Sequence, residues 1–178
     1  EASMRTLPRT WAITSAALLA GLAFLIVGHA ATGYGRTLFP SLLGKRDPTL
    51  EAFEWTPLRG ELARRGLLAQ KGLFVVSGSW IDIGKIDLAL HGELQTQVFG
   101  ESKQYAFRYD PAIFLGRDAL IIGRVDRMEG IERSLAPYFG SIEELPPFVF
   151  GRSGMPEVSV RILRARGLKK ELPSPYLR

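Results

Sequence analysis

Few residues in this chain combine a reactive type with a telling spacing. Gly78 to Lys85 reads GSWIDIGK and invites comparison with a phosphate-binding loop. That loop needs four residues between its glycines, followed by Gly-Lys-Ser/Thr. Here five residues separate Gly78 from Gly84, and Ile86 follows Lys85, so the backbone cradle is out of register and the magnesium hydroxyl is missing. Asp82, Lys85 and Asp87 fall within two turns of one expected helix. Asp82 and Lys85 then pair at i, i+3 on a solvated face. Asp47, Glu51 and Glu54 form an acidic group suited to a cation, a sugar hydroxyl or the first turn of a helix. His91 stands near an expected helix C-terminus, where a cation is favoured for structural reasons. Ser77 and Ser79 follow an expected strand, but the GxSxG pattern of a nucleophile elbow is absent. The chain has no cysteine and two histidines, which removes disulfides, thiolate metal sites, Cys nucleophiles and His-rich metal centres. From spacing alone no catalytic constellation emerges, and neither a metal nor a cofactor is expected.

The elements that hold these residues begin with an apolar run. No formal charge occurs between Arg9 and Arg36, a stretch of 26 residues. As a helix it is about 39 Å long at 1.5 Å per residue, and a hydrocarbon core of about 30 Å needs roughly 20 residues. Trp11 and Tyr34 lie near its ends, where amphipathic rings favour the interface. A transmembrane helix over 10–35 is therefore expected. Two other readings stand beside it. One is a signal peptide cleaved near Gly28, Ala30 and Ala31; the other is a buried helix of a soluble globule. The flanking charges, Arg5 and Arg9 against Arg36, Lys45 and Arg46, do not fix an orientation.

Residues 1–9 form a flank, 36–56 a linker, 57–170 an α/β domain and 171–178 a tail. Thr56 and Pro57 suit the cap and first position of a helix running to about Arg65. Leu73–Ser77 and Asp118–Gly123 are apolar runs that fit strands buried on both faces. Ser79 caps a helix reaching about Leu90, and Gln95–Phe99 forms a further strand. Gly130–Phe139 gives a short helix curtailed by Pro137. Pro146 and Pro147 place Leu145–Phe150 at a sheet edge or irregular entry. Pro156–Leu163 alternates as a half-exposed strand, antiparallel at the sheet edge. The order predicts a small three-layer α/β/α domain with a mainly parallel sheet. The net charge of +5 resides in Arg161–Arg178, with six basic residues and one acid, while the rest is neutral. With one aromatic there, Tyr176, the segment reads as a basic strand end and tail, not a nucleic-acid surface.

One pattern exceeds composition. The apolar run is followed by DPTLEAFEWTPLRGELARRG (Asp47–Gly66), FVVSGSWIDIGKIDLAL (Phe74–Leu90), DALIIG (Asp118–Gly123) and RSGMPEVSVRILRARGLK (Arg152–Lys169). This resembles the C-terminal part of bacterial glycosyltransferases related to the protein mannosyltransferase and aminoarabinose transferase family of the GT-C superfamily. Asp47, Pro48, Thr49 and Trp55 match the stretch that follows the last membrane helix there. The resemblance implies a membrane enzyme that moves a sugar from a polyprenyl-phosphate donor, with its catalytic acid in an early outer loop that has no counterpart in this chain. No catalytic residue is carried over. It also implies an α/β domain on the periplasmic side of the bacterial inner membrane. Partners would be membrane lipid, the lipid-linked donor and the remaining membrane part of the enzyme. By position, Arg36, Lys45, Arg46, Asp47 and Trp55 would lie nearest the bilayer. A non-enzymatic single-pass envelope protein whose α/β domain binds a partner is the alternative.

Overall fold

The computed structural model describes residues 9–43, 50–51, 53–100, 110–152 and 155–173. The chain forms two compact units, one comprising residues 1–53 with 152–155, the other residues 54–151 with 156–178.

The first unit contains helix α1 (Arg9–Thr32). Over Thr10–Thr32 it is long and apolar enough to cross a membrane, and its apolar window has no buried residue. Leu18, Leu22, Phe24 and Val27 are all exposed, Phe24 by 79%. A helix that is greasy on every side and unburied suits lipid better than water. Two of its hydroxyls are satisfied internally: Thr14 donates to the Thr10 carbonyl and Thr32 to that of Gly28. The helix stops at Thr32, short of the expected residue 35, because Gly33 turns left-handed at φ +74°. Short helices α2 (Tyr34–Leu38) and α3 (Pro40–Leu43) then occupy part of the expected linker. Tyr34 folds back, its hydroxyl donating to the Leu25 carbonyl at 2.7 Å. The Gly35 N–H donates to His29 Nδ1 at 3.0 Å. A Cβ on Gly35 would come within 2.8 Å of Leu43 and 2.9 Å of His29, so this close approach requires glycine.

The second unit is built on one sheet. Its strands are β1 (Phe74–Ser77), β2 (Gln95–Val98), β3 (Ala119–Arg124), β4 (Phe139–Arg152) and β5 (Met155–Leu168). Their order is β2-β1-β3-β5-β4. β1 runs parallel to β2 and β3, and β3 runs antiparallel to β5. β4 and β5 are neighbours joined across two residues, a link that only an antiparallel pair can use. The expected mainly parallel sheet is thus a mixed one. Helix α5 (Trp80–Leu90) supplies the crossover from β1 to β2, whereas β4 and β5 lack any such connection. β5 is antiparallel as expected but interior, and the proline-bearing β4 takes the edge.

Strand pleating divides the core. Phe74, Val76, Ala119, Ile121, Leu163 and Ala165 face one cluster, covered by Phe114, Met128 and by Ile131 and Leu135 of helix α6 (Ile131–Leu135). α5 packs on β1, β2 and β3, and helix α4 (Thr56–Arg64) packs on α5. Phe74 and Phe114 stack at 4.5 Å. Trp55, not Thr56, takes the α4 cap position, and the Thr56 hydroxyl donates to Glu54 instead.

The basic C-terminal segment begins as a strand, as expected, but the strand runs to Leu168 and not only to Leu163. Arg161, Arg164 and Arg166 belong to β5. Arg161 pairs with Glu132 and Glu144, Arg164 with Asp118, and Arg166 with Asp118 and Glu143. These strand cations are largely neutralised in place.

Candidate functional site

The chain passes from β1 to β2 on one side and then to β3 on the other. The carboxyl ends of β1 and β3 therefore mark a reversal of strand order, where open α/β sheets place their ligands. Ser77 ends β1, Ser79 caps α5, and Asp82 sits in the first turn of that helix. The Ser79 hydroxyl accepts from the Asp82 N–H, the cap that sequence reasoning anticipates. Asp82 is fully buried. Its Oδ1 accepts from Arg127 Nη1 at 2.7 Å and its Oδ2 from the Arg124 N–H at 3.3 Å. The Arg124 guanidinium in turn grips Asp126 with two hydrogen bonds, at 3.0 and 2.8 Å.

Burial pushes the Asp82 carboxyl above the ordinary carboxylate range, and the Arg127 charge opposes that shift. Both oxygens are committed to partners within the fold. A Cβ on Gly78 would overlap Ile131, and one on Gly123 would lie 2.9 Å from the Met128 sulfur, so both glycines are closely packed. Asp82 thus acts as a strut joining the start of α5 to the end of β3.

The expected surface pair of Asp82 with Lys85 is corrected, since Asp82 turns inward to Arg127. Asp87 accepts from the Thr96 hydroxyl at 3.1 Å, tying α5 to β2. His91 is exposed and left-handed at φ 51°, closing α5 together with Gly92. Gly78 to Lys85 is a strand end, a cap and a helix, not a phosphate loop.

Among the membrane-proximal candidates, Arg36 lies on α2 and is half-buried. Trp55 is 2% exposed and packs on Phe150 with ring centroids 5.2 Å apart, so it serves the core of the second unit. Lys45, Arg46 and Asp47 lie outside the described residues. Sequence reasoning missed Arg124 and Arg127. The available signal was a pair of arginines just beyond one buried strand, answering an acid just beyond another. Among the described residues, no three His, Asp or Glu side chains converge to hold a metal ion.

Comparison with protein-family models, with curated proteins and with solved structures finds no match.

Proposed function

We propose that this chain is the C-terminal membrane span and extracytoplasmic domain of a GT-C-type glycosyltransferase. The enzyme transfers a sugar from a polyprenyl-phosphate donor, with its catalytic centre outside this chain. The observation that carries the reading is a helix over Thr10–Thr32, long and apolar enough to cross a membrane and unburied over its apolar window, preceding an α/β unit. An α/β unit tethered by such a span suits a covering or guiding role beside a reaction centre. The order of the span, the Asp-Pro-Thr and Trp stretch and the α/β segments supports the same assignment.

On this reading Arg36, Lys45 and Arg46 follow the span at the outer interface, where basic groups attract the donor phosphate. A basic side chain near such a surface contributes about 1 kcal/mol toward anionic groups. Replacing all three with Ala in the intact enzyme is expected to raise the apparent KM for the lipid donor about fivefold or more. Transfer from the purified protein to acceptor, measured against donor concentration, reads this directly. An unchanged KM contradicts the role of these residues. A native polypeptide no longer than the 178 residues contradicts the assignment to a larger enzyme.

A further inference from the structure

At the amino ends of β1 and β3, opposite Asp82, two recesses adjoin. One, of about 410 Å³, is lined by Arg64, Arg65, Gln70, Pro146 and Arg164. The other, of about 320 Å³, is lined by Lys71, Arg117 and Asp118 and shares Gln70 and Arg164 with the first. Five cationic side chains line the pair; Asp118 lies among them beside Arg164, and Glu61, at the rim, pairs with both Arg64 and Arg65.

The guanidinium groups are held in place by the fold. Arg65 donates to the Pro146 carbonyl at 2.6 Å and also to Glu61. Arg117 donates to the Gly72 carbonyl at 2.8 Å and to Gln95 at 2.7 Å. Its ring neighbours are Phe74 and Phe114, and burial lowers its pKa from the ordinary arginine value. Arg164 donates through Nη2 to Gln70 at 2.8 Å. Its Nε is buried and has no hydrogen-bond partner among the described residues. Fixed guanidinium forks match the oxygens of a phosphate.

We propose that this double recess, centred on Arg164 and Gln70, is a binding site for a phosphate or diphosphate oxyanion. The inference is independent of the lipid-donor reading. The full chain in detergent, titrated calorimetrically with inorganic pyrophosphate at constant ionic strength, is expected to bind saturably. Arg164→Gln and Arg64→Gln are each expected to weaken binding about tenfold. Arg133→Gln, on α6, is expected to leave it unchanged. The Arg64 side chain is 72% exposed, so its variant keeps the packing even where Arg164→Gln does not fold. Absence of saturable binding, equal heats from sodium perchlorate, or unchanged affinity in Arg64→Gln overturns the proposal. Repeating the titration in nanodiscs identifies the source. Competition from phosphatidylglycerol marks a lipid headgroup, and pyrophosphate binding unaffected by it marks a soluble phosphate compound.

Discussion

Replacing Arg127 with Ala lowers the unfolding free energy of the second unit by about 3 kcal/mol at neutral pH. Removing one partner of a buried ion pair costs about 3–5 kcal/mol, and the 26% exposure of Arg127 sets the lower end. Asp82 would then be a buried carboxylate with only the Arg124 N–H to hold it. The loss depends on pH. Burial already raises the Asp82 pKa in the folded state above its unfolded value of about 3.9. A folded state that holds the extra proton is favoured at low pH and loses stability as pH rises through that window. Without Arg127 the window extends upward, so the variant recovers toward wild type as the pH falls to about 4. Glu61 and Glu144 slope the other way, because arginines hold their pKa values down and their contribution is lost on acidification. Both proteins share those terms, so the difference between them isolates Asp82. Adding Asp82→Asn to the Arg127 variant restores most of the loss, since the amide oxygen still accepts from Arg124. Denaturant unfolding followed by Trp fluorescence measures this, with buried Trp55 as reporter. A loss equal at pH 5 and pH 8, or no rescue by Asn, contradicts the strut.

The second large effect concerns the apolar helix. Leu18→Arg combined with Leu22→Arg is expected to release the chain from membranes on alkaline extraction. Each arginine near a bilayer centre costs about 2.5–3.5 kcal/mol, so the pair costs about 5–7 kcal/mol. Arg and Leu have nearly equal helix propensity, so the helix itself is not the casualty. The two leucines are 70% and 55% exposed. On the surface of a water-soluble protein, two arginines at such positions would be harmless. A control with Val at both sites stays in the membrane fraction. Retention of the double-Arg chain in the pellet contradicts the span.

Sequence reasoning located the parts of the fold whose signals are local. Phe74–Ser77 and Ala119–Arg124 are buried at every position, and an unbroken apolar run betrays such strands. The Ser79 cap and the Gly92 stop bound α5 by short-range rules. The β4–β5 hairpin was not legible in full. Pro146 and Pro147 lie within β4, which is continuous but largely exposed through 140–149 and so shows little apolar pattern. Hairpin pairing places the last strand inside the sheet, a fact that no single-strand pattern reports. Asp82 illustrates the same limit for the site. Its local environment offers Lys85, but its partner Arg127 stands 45 positions away. Arg161, Arg164 and Arg166 looked like the start of a basic tail because their carboxylates, from Asp118 to Glu144, lie upstream on other elements. Trp55 looked interfacial for want of any sequence sign that Phe150 would cover it.

Two ends of one sheet thus carry different chemistry. The carboxyl end of β1 and β3 carries a buried acid–arginine pair, with Ile131 and Met128 packed on Gly78 and Gly123. The amino end is open and basic, with Arg117 and Arg164 among its fixed guanidinium groups.

Cysteine labelling in bacterial spheroplasts tests most directly that the α/β unit is held outside the inner membrane by a helix within it. The 178 residues contain no cysteine, so single positions can be read against the unsubstituted protein. Ser134→Cys, on exposed α6 surface, is expected to react with a membrane-impermeant maleimide before lysis. Leu22→Cys is expected to stay unreactive until the bilayer is dissolved. Labelling at position 134 only after the inner membrane is opened, or equal reactivity at both positions, would contradict this arrangement.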